Sequence, residues 1–152
     1  MLGGVRHIWP RLLVTIFVVG LVSGSPAGPS PAGSWVTVDD KTHKSRGTIF
    51  LFEENGAWSG RIETIYDPAE RANVCTDCPG DRKGKPVAGM VVMWGMVQHG
   101  GEYSGGEILD VDTGSIYRCR FSMSADGSKM MVRGYFGISL IGRTQIWTRA
   151  NA

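Results

Sequence analysis

The chain of 152 residues is poor in the side chains on which most catalysis relies. It holds 3 cysteines and 3 histidines. His7 falls in an apolar N-terminal segment, while His43 and His99 stand in or beside turn signals, where an imidazole reads as a solvated loop residue and not as a positioned base. There is no Gly-x-Ser-x-Gly elbow for a nucleophilic serine and no Walker-type loop for nucleotide phosphates. Asp39-Asp40 and Glu53-Glu54 are adjacent pairs, and neighbours on a strand face opposite ways, so they read as turn and edge residues. A 3.6-residue amphipathic period is missing outside the N-terminal segment, which argues against a helical fold. No internal repeat at solenoid periods is present. The residues support no catalytic group, no metal centre and no cofactor.

Net charge is the next shortage. Arg6 and Arg11 flank an apolar run from Leu12 to Val22, followed by small residues and prolines up to Gly33. This is the layout of a secretory leader, with cleavage expected after Ser25-Pro26-Ala27; the run is short for a bilayer span, and an uncleaved anchor is the alternative. The whole chain carries 16 Lys+Arg and 14 Asp+Glu. Once Arg6 and Arg11 leave with the leader, 14 of each sign remain. A neutral domain lacks the basic footprint of a nucleic-acid binder, and Arg82-Lys83-Gly84-Lys85 reads as a solvated loop. The expected organisation is a signal peptide over 1–27, a Pro/Gly/Ser linker over 28–32 and a single domain over 33–150 with an inserted loop at 67–86. The mature chain is expected to have no transmembrane span and to be periplasmic or extracellular, since both destinations begin with the same signal.

What the chain does have is strand chemistry. Turn signals separate short β-forming runs over 35–38, 46–53, 58–66, 87–97, 102–109, 115–122, 129–136 and 143–149. Asn55-Gly56 is the strongest of the turns, a two-residue hairpin dipeptide. Along 115–122 the alternation is clean, with Tyr117, Cys119 and Phe121 on one face and Arg118 and Arg120 on the other. Eight candidate strands with short connections favour an all-β, eight-stranded antiparallel up-and-down barrel, with a sandwich as the rival. The strand glycines Gly60, Gly105, Gly106 and Gly134 suit the bends of a small barrel. Gly33-Ser34-Trp35 opens the first strand and Trp147-Thr148-Arg149 ends the last. In a closed barrel these strands are neighbours, so Arg149 over Trp35 would plug one end by a cation–π contact.

Two further clusters invite chemical readings. Cys75-Thr76-Asp77-Cys78 sits inside the excursion from Asp67 to Pro86. In an oxidising compartment this spacing allows a local disulfide, whereas thiol–disulfide catalysis asks for a βαβ context and zinc asks for a second ligand pair; neither is present. Cys119, on the face of Tyr117 and Phe121, reads as a buried free thiol. Met90, Met93 and Met96 surround Trp94, with His99 nearby. Thioethers plus an imidazole suit copper(I), but strand alternation puts Met90 and Met96 on one face and Met93 on the other, so packing is the preferred reading.

Several of these motifs together resemble one group. Gly33-Ser34-Trp35, Cys75-Thr76-Asp77-Cys78 with Gly80 to Pro86, Gly105-Gly106-Glu107-Ile108-Leu109-Asp110, and Arg133-Gly134-Tyr135 leading to Gly142 through Arg149 look like the secreted bacterial domain of unknown function numbered twenty-one forty-seven. The resemblance spans nearly all of the mature chain. It implies a lipocalin-like, calyx-shaped barrel and brings no established activity. Apart from G-x-W and the late arginine, the middle signature of true lipocalins is missing, so ligand binding is implied by shape alone. Three functions stand as expectations. The first is non-enzymatic binding of a small apolar or amphipathic molecule, with Tyr117, Phe121, Met130 and Val132 lining the barrel. The second is a filled structural or interaction protein of the cell envelope. The third is an envelope metal or thiol-redox protein.

Overall fold

In the computed structural model, which describes residues 28–150, strands form where alternation and turn chemistry ask for them. They are β1 (Gly33–Val38), β2 (Ser45–Glu54), β3 (Ala57–Ile65), β4 (Val91–His99), β5 (Glu102–Asp110), β6 (Ser115–Met123), β7 (Lys129–Tyr135) and β8 (Gly142–Arg149). Each pairs antiparallel with the next, and β1 pairs with β8, so the sheet closes on itself as an up-and-down barrel. Trp35 stands opposite Arg149 in that closing pair. A single 3-10 turn, Gly80–Arg82, is the one helical element among the described residues. The expected leader lies outside those residues.

The β2–β3 hairpin shows the local logic. Asn55 (φ 53) and Gly56 (φ 78) both take the left-handed conformation that a two-residue turn of this twist requires, and they fix the register Glu54↔Ala57. β4 begins later than its apolar run predicts. Val87 to Met90 forms a turn instead, with the Met90 amide donating to the Val87 carbonyl at 3.1 Å and Gly89 at φ 81.

The methionine assignment needs correction. Met93 and Met96 are both fully buried in the barrel, although three residues apart on a regular strand they would face opposite ways. Gly95 takes φ 72 and the β3–β4 register shifts between Trp58 and Gly60. This bulge adds a residue to the strand and returns Met96 to the interior. Gly106 opposite makes the fold possible: a side chain there would run into the Trp94 carbonyl and the Met96 sulfur.

A meander of eight strands sends alternate connections to alternate ends. One end carries the β2–β3, β4–β5 and β6–β7 turns together with residues 28–32. Its half of the barrel is filled. Trp35, Leu51, Met93, Met96, Phe121 and Met130 are all essentially inaccessible. Tyr103 stacks on Phe121 at 4.6 Å and meets the edge of Trp58 at 6.1 Å. The other end carries the β1–β2, β3–β4, β5–β6 and β7–β8 connections, and it is open.

Candidate functional site

The closed end is tied by two side chains. The Arg149 guanidinium lies 4.3 Å from the Trp35 ring centroid. It also donates to three main-chain carbonyls, Gly127 (2.9 Å), Ala32 (2.8 Å) and Ser30 (2.8 Å). The Trp35 indole N–H donates to the Pro31 carbonyl at 2.8 Å. The stretch expected as a linker is thus anchored at its end, with Pro31 buried against the barrel.

The open half holds a cavity of about 510 Å³. Its deep wall is apolar, from Ile49, Ile62, Val92, Ile108, Leu109 and Val132, with Trp147 among its lining residues. Among the described residues, no buried side-chain nitrogen or oxygen lacks a hydrogen-bond partner. The cavity lining mixes its apolar side chains with polar ones, Thr64, Asn73 and Gln145 together with the charged rim.

The rim is built by two arginines set among carboxylates. Arg46 pairs with Asp112 and, at 3.5 Å, with Glu70. Asp112, first by its hydrogen bond and then by its charge, holds the Arg46 pKa above its usual value. Arg143 pairs with Asp40 at 2.8 Å and with Asp110 at 3.4 Å. From Asp40 a chain runs inward: Gln145 donates to Asp40 at 2.8 Å, and the Trp147 indole donates to Gln145 at 2.8 Å. Asp39 turns into its own loop, where the amide and hydroxyl of Thr42 and the amide of Lys41 hold its pKa below the ordinary carboxylate range.

The β3–β4 excursion packs against this rim. Cys75 and Cys78 form a disulfide, both residues buried. The Cys75 amide donates to the Lys85 carbonyl (2.9 Å) and the Gly84 amide to the Cys75 carbonyl (2.8 Å), so the segment folds back on itself. At Gly114, in the β5–β6 turn, a side chain would collide with the Asp77 main chain.

Tyr117 and Val132 stand on the cavity wall. Phe121 and Met130 belong instead to the packed floor; Phe121 is stacked on Tyr103 and offers no free surface to a ligand. Cys119 is buried, and burial pushes its thiol up to about 12, which leaves it unreactive at neutral pH. His43 and His99 are exposed at opposite ends of the barrel. Among the described residues no cluster of His, Cys, Asp and Glu could hold a metal ion, and no helix is long and apolar enough to cross a membrane. Nothing local in the sequence singles out the rim residues Asp40, Arg46, Asp110, Asp112, Arg143 and Gln145 as a site. The signal that could find them is topological: all lie beside connections that a meander gathers at one end.

A family model described as "Uncharacterized protein conserved in bacteria (DUF2147)" matches residues 33–149. Among solved structures, a protein of Helicobacter pylori, HP1028, described as belonging to the lipocalin family, superposes with a TM-score of 0.70. It is 20% identical, over 79% of this chain and 82% of that one. At that identity the likeness is one of fold. No curated protein matches the chain.

Proposed function

The chain belongs to this family of uncharacterized bacterial proteins (DUF2147), and on that footing we propose that it is an exported, non-enzymatic binder of one small apolar or amphipathic molecule. The observation that carries the reading is the division of the barrel: one half packed solid, the other holding an open cavity of about 510 Å³ in which an apolar cluster (Ile49, Ile62, Val92, Ile108, Leu109, Val132) meets a charged rim. That volume lies within the ordinary range for small-ligand pockets. The apolar part of the molecule sits among Ile62, Ile108 and Val132, and any polar head meets Arg46, Arg143 and their carboxylates. Export rests on the leader-like N-terminus and on the Cys75–Cys78 disulfide, which suits an oxidising compartment.

Native mass spectrometry of protein purified from its own cell envelope tests the reading. The expected result is a reproducible bound molecule, lost on denaturation. Ile108→Trp, which fills the cavity wall, is expected to remove the bound mass while the protein still unfolds cooperatively within a few degrees of the parent. A clean unliganded mass, with no uptake from lipid extracts, overturns the proposal and leaves the barrel a structural element.

A further inference from the structure

The open cavity is where the charge balance of the domain breaks. Without the leader the chain carries 14 basic and 14 acidic side chains, yet the charged residues that line the cavity do not cancel. Two arginines at the mouth each face two carboxylates. Arg46 meets Asp112 and Glu70, and Arg143 meets Asp40 and Asp110. One guanidinium neutralises one carboxylate, so each group of three carries a single negative charge in excess. Asp39 and Lys41, the other charged lining residues, cancel each other. Lys44 stands outside the lining, and counting it still leaves the mouth negative.

Geometry separates the surplus carboxylates from the committed ones. Asp112 grips Arg46 with both oxygens, on two different guanidinium nitrogens. Glu70 reaches the same arginine through Oε2 alone, at 3.5 Å, and its Oε1 has no partner among the described residues. In the second group Asp40 holds Arg143 at 2.8 Å and Asp110 follows at 3.4 Å. The Asp110 side chain is only 18% exposed, so solvent screens its charge less than that of a surface aspartate. Its other oxygen accepts the Asp112 amide at 3.0 Å, which joins the two groups at the β5–β6 connection.

The charge pattern decides which head group the mouth accepts. An anionic head finds no open arginine, because Nη1 and Nη2 of both already face carboxylates. Its approach also adds like charge to an existing excess. A cation instead meets Glu70 and Asp110 in a concave site whose low-dielectric wall focuses their field. That wall includes Ile62, Ile108 and Val132, which call for an apolar body behind the head.

We propose that the cavity takes a cationic amphiphile, with an ammonium-type head drawn to Glu70 and Asp110 and an apolar body reaching Ile108 and Val132. The inference deepens the binding reading above and rests on it; what it adds is the sign of the ligand's charge.

Isothermal titration calorimetry with three octyl probes tests it, using protein whose leader has been processed off, as checked by intact mass. The probes are octyltrimethylammonium, octyl sulfate and octanol, each below its micelle-forming or solubility limit. At low salt the ammonium probe is expected to bind at least about tenfold more tightly than the sulfate, with octanol between them, because the excess charge acts with opposite sign on the two heads. Molar salt is expected to bring the three together. Glu70→Gln gives up only a 3.5 Å contact with Arg46, so it is expected to keep the parent's melting temperature and to lose part of the ammonium preference. Glu70→Gln/Asp110→Asn is expected to lose most of that preference and to bind octanol like the parent. A sulfate that binds as tightly as the ammonium probe overturns the proposal, as does an undiminished ammonium preference in Glu70→Gln. An ammonium probe that binds Ile108→Trp as it binds the parent sits outside the cavity and also overturns it. Octanol or sulfate bound without any advantage to ammonium sinks the charge assignment alone and leaves the carrier standing. Failure of all three probes to bind sinks the carrier, and the assignment with it.

Discussion

The two ends of the barrel are each organised by an arginine from β8, and the two arginines work by different physics. At the closed end Arg149 meets the Trp35 ring and three neutral main-chain carbonyls. At the mouth Arg143 meets the carboxylates of Asp40 and Asp110. Neutral acceptors neither titrate nor attract competing cations strongly, so the closed end is built to be insensitive to its surroundings. The mouth pairs are half-exposed ion pairs, which are worth little in water and weaken with salt. Under the proposed binding function, that asymmetry would let one end fix the shape while the weaker pairs at the other adjust around a ligand.

Breaking the closed end gives the largest expected effect. Trp35→Ala removes a fully buried side chain from the floor and should cost on the order of 3–5 kcal/mol in urea unfolding. Arg149→Ala should cost about 1–3 kcal/mol, through the lost charged hydrogen bonds to the tail and the β6–β7 turn. Because the two side chains touch, the double variant should lose clearly less than the sum. Strict additivity would show that the contact is geometric and carries no energy.

That end is also the more legible in the sequence. G-x-W and a terminal arginine are local motifs, and a meander that closes must bring them together. The Asn55-Gly56 turn and the alternation through Tyr117, Cys119 and Phe121 are readable for the same reason: each is decided by neighbours in the chain. The mouth is not local. Gln145 and Asp40 are 105 residues apart in sequence, and the rim exists because four connections converge. Counting by twos also fails across a bulge. Met93 and Met96 share the interior because Gly95 takes a left-handed conformation that no alternation rule anticipates. The division into floor and cavity is equally hidden, since Phe121 and Val132 are inward-facing partners across β6 and β7, and only the Tyr103 ring stacked on Phe121 takes that residue out of the cavity while Val132 lines it.

Arg143→Ala sharpens the comparison from the other side. It frees Asp40 and Asp110, yet the Arg143 side chain is 56% exposed, and the cost should be at most about 1 kcal/mol. Thermal unfolding at low and at molar salt should bring parent and variant together as salt rises. The Arg149→Ala deficit should persist over the same range. A deficit at Arg143 as large as that at Arg149, or one indifferent to salt, would erase the distinction between the ends.

The smallest effect lies in the turns themselves, where each end carries an aspartate that binds its own loop. In the β6–β7 turn at the closed end, Asp126 accepts from the Ser124 hydroxyl (2.6 Å), the Ser128 amide (3.0 Å) and the Ser128 hydroxyl (2.8 Å), and these bonds lower its pKa to about 2. A carboxyl lowered on folding from its ordinary value of 3.8 stabilises the folded state fully above that value and loses the contribution as pH falls toward about 2. Asp126→Asn should therefore be slightly less stable than the parent at neutral pH. The two should converge as acid is added across that window. Asp39→Asn, in the corresponding turn at the mouth, should behave with the same sign, because Thr42 and Lys41 lower that carboxyl in the same way. The two turns differ in what depends on them. The Asp126 turn also positions the Gly127 carbonyl that Arg149 reaches, so its loss should be felt in global unfolding. The Asp39 turn holds the loop that carries Lys41 and Lys44, so its loss should be felt first at the mouth, as faster amide exchange over 39–44 with the unfolding midpoint unchanged. Equal exchange in the two turns, or parallel stability curves for Asp126→Asn and the parent down to pH 2, would show that the aspartates are ornamental to both ends alike.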